Sequence, residues 1–76
     1  MDHEEINTRV SSIIEEVTKK KFAIDEKLKI SSFETLQIVA KLEKEFCIEV
    51  EDSTIFRGLF SDIDRVARYV DERKKS

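Results

Sequence analysis

The chain has 76 residues, 41% of them charged, with 17 acidic and 14 basic side chains and a formal charge of −3. That length fits one domain, which buries only about 60% of the surface its unfolded chain exposes and has room for a thin core but no deep catalytic cleft. Gly58 is the sole glycine, proline is absent and Cys47 is the sole cysteine, which argues against a turn-rich β fold and rules out an intramolecular disulfide.

The first element runs from about Asp2 to Lys20. Ile6, Val10, Ile13, Ile14 and Val17 recur at steps of three and four, one face of a helix. Asp2 is the expected N-cap, Glu4 and Glu5 suit the first turn, and Lys19, Lys20 and Lys21 suit the far end of the dipole. From Phe22 to Ile30 the stripe breaks down. Phe22, Ile24, Leu28 and Ile30 read as a long ordered loop that pins these side chains onto the core.

A second helix is predicted over Ser32 to Phe46. Ser31, followed three residues later by Glu34, is a capping box with Ser31 as the cap and Ser32 as the first residue inside. Leu36, Val39, Ala40 and Cys47 form one apolar row, and Ile38, Leu42 and Phe46 an adjacent one, so the arc is wide, as for a central helix packed on two sides. Cys47 to Asp52 alternates apolar and acidic residues over a span too short for its own sheet. Ser53 to Leu59 reads as one or two helical turns ended by Gly58. Ser61 starts the last helix with Asp64 as an approximate box partner, and Ile63, Val66, Ala67 and Val70 face inward with Tyr69 beside them. The expected architecture is all-α, a small antiparallel bundle of three main helices and one short one, forming a single domain over residues 1–76.

Charge and reactive side chains narrow the function. Between Ser31 and Asp64 eight acids meet three bases, while the rest of the chain has nine acids and eleven bases. Two readings are open, a scattered polar surface or an acidic face that steers basic partners; nucleic acid is a poor match for either. An intrinsic enzyme is not expected, because a nucleophilic serine needs a base nearby and the one histidine, His3, sits far off in sequence. His3 has no companions for a metal site, and Cys47 reads as a small buried or half-buried hydrophobe. No apolar run exceeds three residues, so neither a membrane-spanning segment nor a secretory signal is read, and the cytoplasm is the expected compartment.

The order of these parts carries a resemblance. Ser31-Ser32-Phe33 opens the central helix, Leu42-Glu43-Lys44-Glu45-Phe46 closes it, Cys47-Ile48-Glu49-Val50 follows, and Asp62-Ile63 through Arg68-Tyr69-Val70 makes the last helix. This pattern, over nearly the whole chain, resembles the acyl carrier protein family of phosphopantetheine-attachment domains. It diverges at the family's Asp-Ser-Leu signature, where Ser31 stands for the aspartate and Phe33 for the leucine, and it lacks the usual preceding glycine.

The resemblance implies a free-standing carrier that is itself no enzyme. A 4'-phosphopantetheine arm taken from coenzyme A would be joined to Ser32, with Ser31 as the rival attachment point. The arm would hold acyl intermediates as thioesters in fatty acid, polyketide or specialised lipid biosynthesis, or aminoacyl and peptidyl groups. Phe33, Leu36, Ile38, Val50 and Phe60 are candidates to line an acyl pocket, or are ordinary core; Phe33 could equally face outward to a partner. Glu34, Glu43, Glu45 and Glu51 are candidates to dock basic patches on a phosphopantetheinyl transferase and on acyl-transferring or synthase enzymes. The expected state is a monomer with no metal. The alternative is an unmodified helical module that binds a protein partner.

Overall fold

In the computed structural model, residues 3–75 are described. They form α1 (His3–Thr18), α2 (Ser32–Phe46), α3 (Asp52–Phe56), a 3₁₀ turn (Leu59–Ser61) and α4 (Ile63–Lys75). The fold is an all-α bundle of three long helices and one short one, with no strand among the described residues.

Helix α1 is the element the others pack on. Ile6, Val10, Ile13 and Ile14 are buried along one stripe, which lies against both α4 and α2. Two ion pairs fix the sense of the second contact: Arg9 meets Glu45 at 2.6 Å and Glu16 meets Lys41 at 3.2 Å. As α1 advances from 9 to 16, α2 retreats from 45 to 41, so the two run antiparallel. Helix α4 runs in the same sense as α2. Its start is bonded to the loop that leads into α2, and its Tyr69–Arg73 half meets the segment that leaves α2.

The core is completed by Ile38, Val39, Leu42 and Phe46 from α2, Leu28 and Val50 from the connections, Leu59 from the 3₁₀ turn, and Ile63, Val66, Ala67 and Val70 from α4. The 22–30 segment is an ordered connection, as expected, and backbone bonds hold it. The Leu28 N–H donates to the Ser61 carbonyl at 2.8 Å, and the Asp64 N–H donates to the Ile24 carbonyl at 3.1 Å. Ile24 anchors the loop by this carbonyl alone; its side chain is 48% exposed, contrary to the expectation that it packs inward. Leu28 is buried, and Phe22 and Ile30 pack partly against the core.

The helix ends show where local chemistry overrides the pattern. Helix α1 stops at Thr18, short of the lysines. The Thr18 hydroxyl donates to the Ile14 carbonyl at 2.8 Å and accepts the Lys20 N–H at 3.2 Å, while Lys19 turns left-handed with φ of 62°. The expected cap at Asp2 lies outside the described residues. Helix α2 ends at Cys47, also left-handed at φ 55°, with its N–H donating to the Glu43 carbonyl. That cap leaves Cys47 on the surface, so the thiol expected to be buried or half-buried is exposed. At α4 the cap is Asp62, not Ser61: Asp62 Oδ1 accepts the Arg65 N–H at 2.7 Å, and the Ser61 hydroxyl donates to the Gly58 carbonyl at 2.6 Å inside the turn. Gly58 itself has φ of 89°, which separates α3 from the 3₁₀ turn in a conformation that suits glycine. None of the described helices is long and apolar enough to cross a membrane.

Two stability outcomes follow from this packing. Phe46, almost wholly buried, should cost about 3–5 kcal/mol when cut to alanine, measured by urea denaturation. Cys47→Gly and Lys19→Gly should each raise stability by about 0.5–1 kcal/mol in the same assay, because glycine adopts a left-handed cap without a Cβ clash.

Candidate functional site

The two serines at the entry of α2 have divided roles. Ser31 has extended backbone angles (φ −78°, ψ 165°), and its Oγ accepts the Glu34 N–H at 3.1 Å. Glu34 Oε1 accepts the Ser31 N–H at 3.0 Å, completing the capping box. The Ser31 carbonyl accepts both the Thr35 N–H and the Thr35 hydroxyl, each at 2.9 Å.

Capping by Ser31 leaves Ser32 free. It is the first residue of α2 and is exposed, and its hydroxyl has no hydrogen-bond partner among the described residues. The Ser32 and Phe33 N–H groups likewise lack one, so two donors at the positive end of the helix face outward beside the Ser32 hydroxyl. The acid closest in sequence is Glu34, whose carboxylate already bonds the Ser31 N–H. An anion attached at Ser32 would therefore meet two open donors and one neighbouring negative charge.

A shallow open groove of about 310 Å³ begins one turn along from Ser32. It is lined by Thr35 of α2, by Lys27, Leu28 and Ile30 of the loop, by Ile55 of α3, and by Gly58, Phe60 and Ser61 around the 3₁₀ turn. Of the five residues expected to line an acyl pocket, this groove takes only Phe60. Phe33 and Leu36 are 70% and 64% exposed and line no interior. They sit on the side of α2 away from α1, because the core takes Ile38, Val39, Leu42 and Phe46 as its contact arc. Ile38 and Val50 are buried as ordinary core. Lys27, Leu28, Ile30, Thr35 and Ile55 were not foreseen as lining. Their only common signal is that the loop and the short helix flank the same end of α2, which becomes visible only once the Leu28–Ser61 bond brings the two together.

The acidic docking candidates do not form one outward face. Glu34 is in the capping box, Glu43 Oε2 accepts the Val50 N–H at 2.9 Å, and Glu45 pairs with Arg9. These three carboxylates hold the protein's own donors. Only Glu51 stands largely in solvent, 4.0 Å from Arg73. The Cys47 thiol and the acids assemble no metal-binding group among the described residues.

Comparison with known protein families, with curated proteins and with solved structures finds no match to this chain.

The division of roles between the serines has a measurable consequence. Ser31→Ala removes the side-chain acceptor of the cap and should cost about 1 kcal/mol. Ser32→Ala removes no protein hydrogen bond and should cost well under about 1 kcal/mol in the same urea titration.

Proposed function

We propose that the domain is a carrier, with Ser32 as the attachment point of a 4'-phosphopantetheine arm and the groove beside it as shelter for the first part of a thioester-bound cargo. The observation that supports this most is the state of Ser32. It has an exposed, unbonded hydroxyl at the start of a 15-residue helix, released from capping because Ser31 does that work. In the reaction, the Ser32 oxygen attacks the pantetheine-linked phosphorus of coenzyme A. A phosphodiester forms, adenosine bisphosphate leaves, and the serine proton passes to a base on the transferase. The two free N–H groups and the helix dipole then face the phosphodiester anion. The domain performs no chemistry of its own in this reading. A phosphopantetheinyl transferase installs the arm, and partner enzymes of acyl or aminoacyl metabolism load and unload its thiol.

A second reading has one observation in its favour. The Glu34 carboxylate stands at the same helix entry, three residues after a serine rather than the aspartate of the related signature. A negative charge there opposes a phosphodiester, which favours an unmodified module that binds a protein partner.

Intact mass spectrometry separates the two readings. After incubation with coenzyme A and a broad-specificity transferase, the carrier reading expects the mass of one phosphopantetheine to be added. The gain should be lost in Ser32→Ala and kept in Ser31→Ala. No gain, or a gain that survives Ser32→Ala, overturns the assignment.

A further inference from the structure

The residues that line the groove beside Ser32 divide by chemistry. Leu28, Ile30, Ile55 and Phe60 supply apolar side chains that pack on or in the core. Thr35 and Ser61 carry hydroxyls whose protons are already spent, on the Ser31 carbonyl at 2.9 Å and the Gly58 carbonyl at 2.6 Å. Gly58 brings no side chain. Lys27 is the one charged residue on the wall, and the one whose side chain has a hydrogen-bond donor left to give. It is exposed and has no carboxylate partner among the described residues.

Acids stand near Lys27 in the chain and across the Leu28–Ser61 bond. Glu26 accepts the Ala23 N–H at 2.9 Å, Asp62 accepts the Arg65 N–H at 2.7 Å, and Asp25 lies in the turn before them. None of the three lines the groove, and neither does any charged residue of α2 or α3. The groove therefore sets one cation beside apolar side chains, in a space of about 310 Å³ open to water. A space of that size is at the lower end of small-molecule sites and covers a short cargo, not a long chain. Ile30 stands two residues before Ser32 and Thr35 three after, so an arm on Ser32 begins at the groove's edge.

We propose that the groove selects a short acyl cargo that ends in a carboxylate, an ω-carboxyacyl thioester, with its methylenes against Leu28, Ile55 and Phe60 and its far end at the Lys27 ammonium. The inference rests on the carrier reading for the arm and goes beyond it by naming the chemical class carried. Other end groups match the wall less well. A methyl end leaves the one free donor unanswered. A hydroxyl end gains from Thr35 or Ser61 only by donating to them. An ammonium end, as on an aminoacyl group, meets Lys27 with like charge and finds no carboxylate on the wall. Because Lys27 is exposed, water competes for its charge and the selection is small, about two- to fivefold.

The test uses the full chain without an arm, uniformly ¹⁵N-labelled, titrated with two soluble pantetheine thioethers. One is S-hexyl pantetheine; the other is the same compound with its terminal methyl replaced by a carboxylate. The carboxylate probe should shift the amide resonances of Lys27, Ile30, Thr35, Ile55 and Gly58, and should bind about two- to fivefold more tightly than the hexyl probe. Added salt should narrow that difference. Lys27→Gln should remove it and Lys27→Glu should reverse it, with the melting temperature as a check that these exposed substitutions leave the fold intact. Equal affinity for the two probes, tighter binding of the hexyl probe, shifts centred away from the groove, or no shift with either probe would each overturn the proposal. The titration and the mass gain at Ser32 fail separately. A mass gain with equal binding overturns the cargo class and keeps the carrier. Selective binding without a mass gain overturns the carrier reading and, with it, this assignment of cargo.

Discussion

The fold depends on burial of a single stripe on α1. Ile6, Val10 and Ile14 are wholly sealed, and the helix that carries them lies against both α2 and α4, which touch each other little. In a chain of this size one core must serve every element. Helix α1 supplies the shared wall, and the others are positioned through it. The Arg9–Glu45 and Glu16–Lys41 pairs are too exposed to add much stability, but both are met by the antiparallel sense and register that α2 takes along that wall. The entry of α2, with Ser32 at its mouth, is thereby fixed at the end of the bundle where the 22–30 loop and the 3₁₀ turn also converge.

Much of this was legible in the amino-acid sequence, for physical reasons that differ by element. The α1 stripe has one solution, because its apolar residues occupy a single narrow face. The α2 entry was legible because a serine and a glutamate three apart form a reciprocal pair that depends on local geometry alone. Helix α2 beyond that point was harder. Its apolar residues cover more than half of the helix circumference, so spacing could not say which edge of the arc turns to the core. Leu36 and Ala40 were grouped with Val39, and the structure puts Val39 inside and the other two outside. The cap of α4 was misplaced by one residue, because Ser61 and Asp62 are both good caps and only the 3₁₀ turn after Gly58 decides between them.

The acids were the least legible part. A carboxylate on a helix has the same sequence signature whether it faces water or turns back to a backbone N–H. Glu43 bonds the Val50 N–H seven residues on, a contact that exists only because the chain doubles back after the left-handed Cys47. The resemblance to carriers implied that the acids around α2 dock basic partners. The folded chain draws those acids into its own structure and leaves α2 an outward face of phenylalanine, leucine, alanine and lysine.

The groove beside Ser32 has walls of unequal stiffness. On one side Leu28 is buried and its N–H is tied to Ser61. On the other stands α3, five residues long, with no side-chain cap at Glu51 and a glycine joint at Gly58. Anything wedged into that space would move the small helix and leave the loop in place. Compliance is thus concentrated at one edge, so a guest could be admitted or released there while the three long helices keep their packing.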